Sequence, residues 1–521
     1  MERRDVRWRT DDAAFDAVET AYAVLKREGR VPAAPLVALY KDEEVEVAFK
    51  KALALRIKEF YDREGVGAPM IRLNTALHWI KWFSILAALP LWVFSGMKWL
   101  ARPAGSPRPI QAALRIYTTD WGFRGEGTRT IDWLLDGKKL HPDNTLFVIE
   151  KSVSEKYQAE LAARFYNVED VSGPPAMLFR GMGAWIRLLV AATRAPGVFV
   201  EVAARGWLEY LRWTAFLARW RPHHYVAYNH FHYDHAFRNS LLRQAGCESW
   251  YYVHSVHDRC AFLYASPDGP LRSQVDWMYL SYDHEVHWGR RDEELHRRMR
   301  GQSRVYHTWG PLWSAHVRPV CFVTNEIEQR RSEMKLDSIV AVFDTSFGLA
   351  SPYGKPGARE FYDDLVAMLD GPNWARRLLL FKSKNYEDEF QDSPETAASL
   401  DRLLKHPRCL SIGADVAPGA AIAEADLTIS IAYTSTTVEA LGARRRAFYF
   451  DPGGKFTHSY YEQFPNLVAH DREALARLCE HWLGMPEADF QKYLDHYVAP
   501  EFGGCLDSGA VARFREALSI G

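Results

Sequence analysis

The 521-residue sequence has few cysteines, no net charge of consequence and no apolar run long enough to span a bilayer. Each of these shortages excludes something. Cys247, Cys260, Cys321, Cys409, Cys479 and Cys505 lie far apart with no Cys-x-x-Cys pair, which rules out a cysteine-ligated zinc site and a disulfide framework and fits a reducing compartment. Lys and Arg total 65 against 66 Asp and Glu, so no global basic field exists to coat nucleic acid, and no nucleic-acid partner is expected. Met1 to Thr10 is charged and polar and lacks the apolar core of a secretory signal, so the bulk of the chain is expected in the cytoplasm. Neither an internal repeat nor a low-complexity tract is present. The length exceeds what one compact core accommodates and implies two domains plus extensions.

The longest uncharged run, Trp82 to Met97, is sixteen residues with Pro90 in its middle, short of the ~20 that a spanning helix requires. Between Glu64 and Asp120 no acidic residue occurs, whereas Arg72, Lys81, Lys98, Arg102, Arg108 and Arg115 do. This pattern predicts that segment 79–102 faces a membrane as a monotopic or re-entrant element against anionic lipid, which would make the protein peripheral on the inner face of the cell membrane. A second stretch, Met177 to Arg221, interleaves Trp185, Trp207, Trp213, Phe216 and Trp220 with seven arginines about seven residues apart. It reads either as an interfacial amphipathic helix or as core helices with snorkelling arginines.

Residues 1–105 carry helical periodicity and close in the proline-rich linker Arg102 to Pro109. After it, short β-branched or aromatic runs alternate with helical patterns: ALRIYTTD, NTLFVIE, HYVAYNH, ESWYYVHS, WMYLSYD and SRVYHTW. A charged helix near Asn325 to Lys335 leads to a second series, SIVAVFD, RRLLLFKSK, CLSIG, DLTISIA and RAFYFD. Such alternation implies βα units and parallel sheets, hence an α/β protein. The expected division is a helical extension (1–105), a Rossmann-like domain (106–324) and a second Rossmann-like domain (325–521). The last helix, Asp507 to Leu518, is a candidate to cross back. In open α/β sheets ligands lie beyond the carboxyl ends of the strands, so the loops there are where function is sought.

The sharpest of these loops is Thr434-Ser435-Thr436-Thr437, between the strand DLTISIA and a helix expected to start near Val438. Hydroxyls capping that helix, with amides exposed at its start, suit a phosphate, and Glu439 one turn in suits a ribose hydroxyl. The blander reading is an ordinary helix cap. The following strand ends at Asp451-Pro452-Gly453-Gly454 on the same sheet edge. Lys382 and Lys384 emerge from the carboxyl end of another strand, either as point charges for a diphosphate or as solvated surface lysines. Thr345 and Ser346 end the first strand of this domain and would line the cleft.

AYTSTTVEA (432–440) with YFDPGG (449–454), preceded by FDTSFG (343–348) and FKSK (381–384), resembles the donor-binding half of GT-B fold glycosyltransferases of bacterial surface-polysaccharide synthesis. It is most similar to the polysaccharide biosynthesis proteins named for a Pro-Phe-Thr-Ser motif, and more distantly to capsule sugar transferases. Ala432-Tyr433 stands where that family has Pro-Phe, and Gly310-Pro-Leu-Trp313 falls at the domain junction. The resemblance implies a metal-independent transferase without a cofactor. Its donor would be a nucleotide sugar held in the C-terminal domain, and its acceptor a glycan, lipid-linked or part of a surface polysaccharide.

The N-terminal domain would then hold the acceptor and a general base. Asp120, at the carboxyl end of its first strand, is one candidate, with a helix-capping Asp as the alternative. His254 ends another strand where similar transferases place a His-Gly pair, here His254-Ser255. His230, His232, Asp234 and His235 form an H-x-H-x-D-H pattern that alone would suggest a dinuclear metal hydrolase. Ala236-Phe237-Arg238-Asn239 follows where those enzymes usually place small glycines, so His230 and His232 are read as cleft imidazoles facing the acceptor, with no metal expected. A metal-dependent hydrolase, a nucleotide-sugar epimerase of the same fold and a non-enzymatic scaffold are the rival readings.

Overall fold

The computed structural model describes residues 2–66, 106–116, 133–149, 167–171, 182–193, 195–228, 232–255, 274–347, 353–384, 390–457 and 459–519. Three helices open the chain, α1 (Glu2–Arg27), α2 (Ala34–Tyr40) and α3 (Glu46–Glu64). They lie against the first α/β unit. Tyr40 Oη donates to Gly206 O at 2.6 Å, and the buried Lys51 Nζ donates to Asp276 O and Met278 O at 2.7 and 2.8 Å. Contact with α2 is close enough that a Cβ on Gly206 would come within 2.7 Å of Leu36 Cδ1.

The first unit is built from β1 (Arg108–Ile116), β2 (Thr145–Ile149), β3 (Val168–Asp170), α4 (Met182–Ala192), α5 (Gly197–Leu217), β4 (Trp220–Ala227), α6 (Asp234–Gln244), β5 (Glu248–Tyr252), β6 (His284–His287), α7 (Arg290–Arg298) and β7 (Val305–Thr308). Its parallel strands run in the order β3-β2-β1-β4-β5-β6-β7. Strands covered on both faces read as unbroken apolar runs, as the wholly buried TLFVI of β2 does. Winding starts at β1 and proceeds outward in both directions, so the crossovers part between the carboxyl ends of β1 and β4 and leave a crevice there.

The second unit follows as α8 (Cys321–Met334), β8 (Ser338–Phe343), α9 (Gly354–Leu369), β9 (Arg377–Lys382), α10 (Pro394–Leu404), β10 (Cys409–Ser411), α11 (Pro418–Glu424), β11 (Leu427–Ile431), α12 (Ser435–Gly442), β12 (Ala447–Phe450), β13 (Val468–Ala469), α13 (Arg472–Gly484), α14 (Glu487–Tyr493) and α15 (Ala510–Ala517). The order β10-β9-β8-β11-β12-β13 puts its switch point between β8 and β11. Two parallel sheets, each covered by helices, give the α/β, two-Rossmann arrangement of a GT-B protein.

The units meet through Gly310–Trp313 and the short 3-10 turn Leu312–His316. A Cβ on Gly442 would lie 2.8 Å from Pro311 Cγ, and one on Gly419 2.1 Å from His316 O, so α11 and α12 approach this turn where only glycine fits. The C-terminal helix α15 crosses back onto the first unit. Arg515 donates to Trp133 O, Leu134 O and Leu135 O, and Phe514 packs among Trp133, Trp250 and Tyr252.

One expectation needs correction: WMYLSYD is not a strand but a buried connection that leaves the 3-10 turn Val275–Trp277, and the strand is the next segment, HEVH. Of the two readings of Met177 to Arg221, the described residues give core helices. On α5, Trp207, Trp213 and Phe216 are buried, and Arg205 and Arg212 pair with the buried Glu209 at 2.9 and 2.7 Å, so the basic face is neutralised internally. On α4, Ile186 and Val190 stand exposed. Segment 79–102 lies outside the described residues, and no described helix is long and apolar enough to cross a membrane.

Candidate active site

The switch point of the second sheet brings Thr345 and Ser346, at the end of β8, beside Thr434–Thr436, which lead from β11 into α12. All five residues are half-buried. α12 starts at Ser435, three residues before the expected Val438. Its N-cap residue, Thr434, places no side-chain oxygen on the first amides, which corrects the hydroxyl-cap expectation. The hydroxyls instead join one another, with Thr436 Oγ1 2.6 Å from Ser430 Oγ and 3.0 Å from Thr434 Oγ1. Tyr449 Oη donates to Thr434 O at 3.1 Å and fixes the turn from below. A helix start left without a capping side chain presents N–H groups and the positive end of the macrodipole, a site suited to an anion.

The neighbouring candidates divide. Lys384 is exposed at this edge, and its backbone N–H donates to Asp344 Oδ1 at 2.6 Å. Lys382, expected as a free point charge, is 7% exposed and donates Nζ to Ala414 O at 3.1 Å, tying β9 to the loop after β10. Glu439 is buried in the first turns of α12. Asp451 is fully buried beneath the Pro452-Gly453-Gly454 turn. It accepts from Tyr353 Oη at 2.7 Å, Phe456 N at 2.8 Å and His470 Nδ1 at 3.0 Å, so it braces the loop from within. Gly453 and Gly454 adopt φ of 71° and 57°, which a residue with a Cβ rarely does.

His470 carried no signal in the sequence. A hydrogen bond to Asp451 and an ion pair with Glu462, whose Oε1 is 2.9 Å from Nε2, hold its imidazole charged, with the pKa pushed up to about 10. Both ring nitrogens are thereby committed to carboxylates at the end of β13.

In the first sheet, Asp120 and His230 fall outside the described residues. His232 is exposed after β4. His254, half-buried at the end of β5, packs its ring on Tyr228 and Trp313, with centroids 5.1 and 5.3 Å away. Trp313 Nε1 donates to His254 O at 2.6 Å, so the junction turn seats this loop. The histidine pattern does not converge on an ion among the described residues. Asp234 pairs with Arg205 at 3.2 Å, and His235 is buried, stacked on Tyr282, with Nε2 accepting from Ser281 N at 3.1 Å and Nδ1 against His232 O.

The profile of the family described as polysaccharide biosynthesis PFTS motif protein matches residues 194–479, more than half of the chain. The chain belongs to that family. In this PFTS protein Tyr433 takes the aromatic position of the motif. Its ring packs between Tyr449 and Tyr461, at 4.7 and 5.0 Å, and its hydroxyl pairs with Ser459, beneath the Thr434–Thr436 loop. No curated protein matches the sequence. Among solved structures, the wall teichoic acid polymerase TagF is similar at 10% identity and a TM-score of 0.44, covering 86% of this chain and 98% of its own. Anabaena HepE in complex with UDP and glucose is similar at 13% identity and a TM-score of 0.41, covering 79% and 97%. A UDP-N-acetylglucosamine 2-epimerase from Listeria monocytogenes is similar at 10% identity and a TM-score of 0.43, covering 78% and 96%.

Proposed function

We propose that this PFTS motif protein is a glycosyltransferase of GT-B type that moves a sugar from a nucleotide-activated donor to a surface-polysaccharide or lipid-linked glycan acceptor. The observation that carries the reading is the start of α12, half-exposed and without a capping side chain at the β8/β11 switch point. The donor diphosphate would lie on its amides and on the hydroxyls of Thr434, Ser435 and Thr436, with Thr345, Ser346 and Lys384 beside it. The fixed amides of this helix start would stabilise a departing phosphate, so that no divalent ion is required in principle. The acceptor would enter from the first sheet, where His232 and His254 flank the facing crevice and Asp120 is the further candidate base.

A membrane-peripheral placement on the inner face fits a lipid-linked acceptor and rests on the basic, acid-free tract around 79–102. A thermal-shift screen against UDP-, GDP-, CMP- and dTDP-linked sugars tests the donor site. A ligand at one hundred times its dissociation constant adds about 2.7 kcal/mol of stability. The shift is expected to vanish in a Thr434→Ala/Ser435→Ala double variant. An undiminished shift there would remove the phosphate from this loop.

A further inference from the structure

Two imidazoles and two carboxylates are buried together in the first unit, away from the donor crevice. β6 alternates its side chains across the sheet, so Glu285 and His287 share a face, and α7 supplies Asp292 and His296 one turn apart. All four are at most 2% exposed. Glu285 Oε2 lies 3.3 Å from His287 Nε2 and 2.9 Å from His296 Nδ1. On the opposite side of both rings, Asp292 Oδ2 is 2.9 Å from His287 Nδ1, and Oδ1 is 3.8 Å from His296 Nε2. Ser303 Oγ donates to the second oxygen of Glu285.

We propose that Glu285, His287 and His296 are the protein ligands of a closed structural site for a divalent transition-metal ion, zinc by preference, with Asp292 and Ser303 orienting them. Three observations point there. The ligand atoms lie within 4.8 Å of one another, and zinc bonds of ~2.0–2.1 Å in tetrahedral geometry place ligands roughly 3.3 Å apart. His287 donates through Nδ1 to Asp292, which leaves Nε2, fully buried and without a hydrogen bond, aimed at an anionic oxygen. A lone pair facing a carboxylate in a dry interior is repulsive unless a proton or a metal ion sits between them, and the second is the occupant proposed here. Finally, one divalent ion balances the Glu285 and Asp292 charges while both imidazoles stay neutral. A carboxylate behind each ligating histidine is the usual means of fixing tautomer and ring orientation.

The surroundings suit an enclosed, non-catalytic ion. Tyr306 stacks beside His287, and Trp277 packs beside His296. Immediately after β6, Arg290 N and Arg291 N donate to Glu501 O and Glu501 Oε1 at 2.8 and 3.0 Å, so the ion would anchor the strand end that receives the chain returning from the second unit. The inference is independent of the transferase reading, because the donor crevice shares none of these residues.

The test uses the tag-free full chain, stripped with chelator, loaded with zinc chloride and desalted. One tightly retained equivalent by elemental analysis and a rise in Tm of several degrees are expected, together with visible absorption of a low-coordinate ion after cobalt substitution. His287→Gln, folded by circular dichroism, should lose the retained zinc, while His307→Gln, outside the cluster, should keep it. Failure of the wild-type chain to retain zinc or cobalt would overturn the site, showing that the cluster is held by protons alone. So would a full equivalent in folded His287→Gln, or its loss in His307→Gln.

Discussion

At the end of β12 the carboxylate of Asp451 works as a brace for the Pro452-Gly453-Gly454 loop. Fully buried, it accepts from Tyr353, Phe456 and His470 at once. Asp451→Asn keeps the volume but removes the charge that His470 faces, and is expected to cost about 3 kcal/mol in chemical denaturation. The same variant reports on the imidazole. His470 has its pKa raised to about 10 by Asp451 and then Glu462, so its stabilising contribution is complete below the unfolded value of about 6.5 and is lost as pH rises through about 10. In Asp451→Asn the ring resonances followed by NMR should titrate at lower pH. An unmoved midpoint would assign the shift to Glu462 alone. In the sequence a flexible lysine at a carboxyl end, such as Lys382, reads as a free charge until the carbonyl of Ala414 is seen to hold it.

Strands and helices were legible where they were long enough to carry a pattern and fully covered on both faces. β2, β5, β8, β9, β11 and β12 follow their apolar or aromatic runs, whereas β3 and β13, of 3 and 2 residues, are too short to carry one. HEVH was missed because polar side chains fill β6, and its aromatic neighbour WMYLSYD drew the assignment. Those polar residues belong to a ladder that no local pattern reveals. His224 on β4, Trp250 on β5, His284 on β6 and His307 on β7 lie side by side, with His284 stacked on Trp250 at 3.9 Å and its Nδ1 3.1 Å from His307 Nε2. Burial lowers the pKa of all three imidazoles, and neighbouring imidazoles push His307 further, to about 4. A depressed base reverses the usual histidine sign, because below about pH 6.5 the unfolded chain takes up protons that the folded chain refuses. Stability should therefore fall as pH drops from about 6.5 toward 4, by up to about 1.4 kcal/mol per pH unit for each such group. Denaturation midpoints across that range should decline less steeply in His307→Gln than in the parent.

At the scale of the molecule, two sheets form a working cleft only if their carboxyl edges are held face to face, and here the chain makes that connection twice. The first crossing is the stretch Gly310–His316, whose Pro311 and His316 press against Gly442 and Gly419 of the second unit and whose Trp313 holds His254 of the first. The second is α15, whose return was anticipated from the helical pattern of Asp507 to Leu518, although its docking partners lie hundreds of residues upstream and carry no local signal. Phe514 fills a cage of Trp133, Trp250, Tyr252 and Trp309 while Arg515 caps three successive carbonyls, so the last helix completes the core of the first unit and not its own. Phe514→Ala should then cost about 3–5 kcal/mol, the usual range for emptying a buried aromatic site, and that loss should fall on the first unit. Tryptophan emission, dominated in this region by Trp133, Trp250, Trp309 and Trp313, should shift red at lower denaturant than in the parent. Donor-induced stabilisation of the second unit should persist under conditions where both units remain folded. If both units instead lost stability together, and donor binding with them, α15 would be coupling the donor site to the acceptor sheet as well as clamping it.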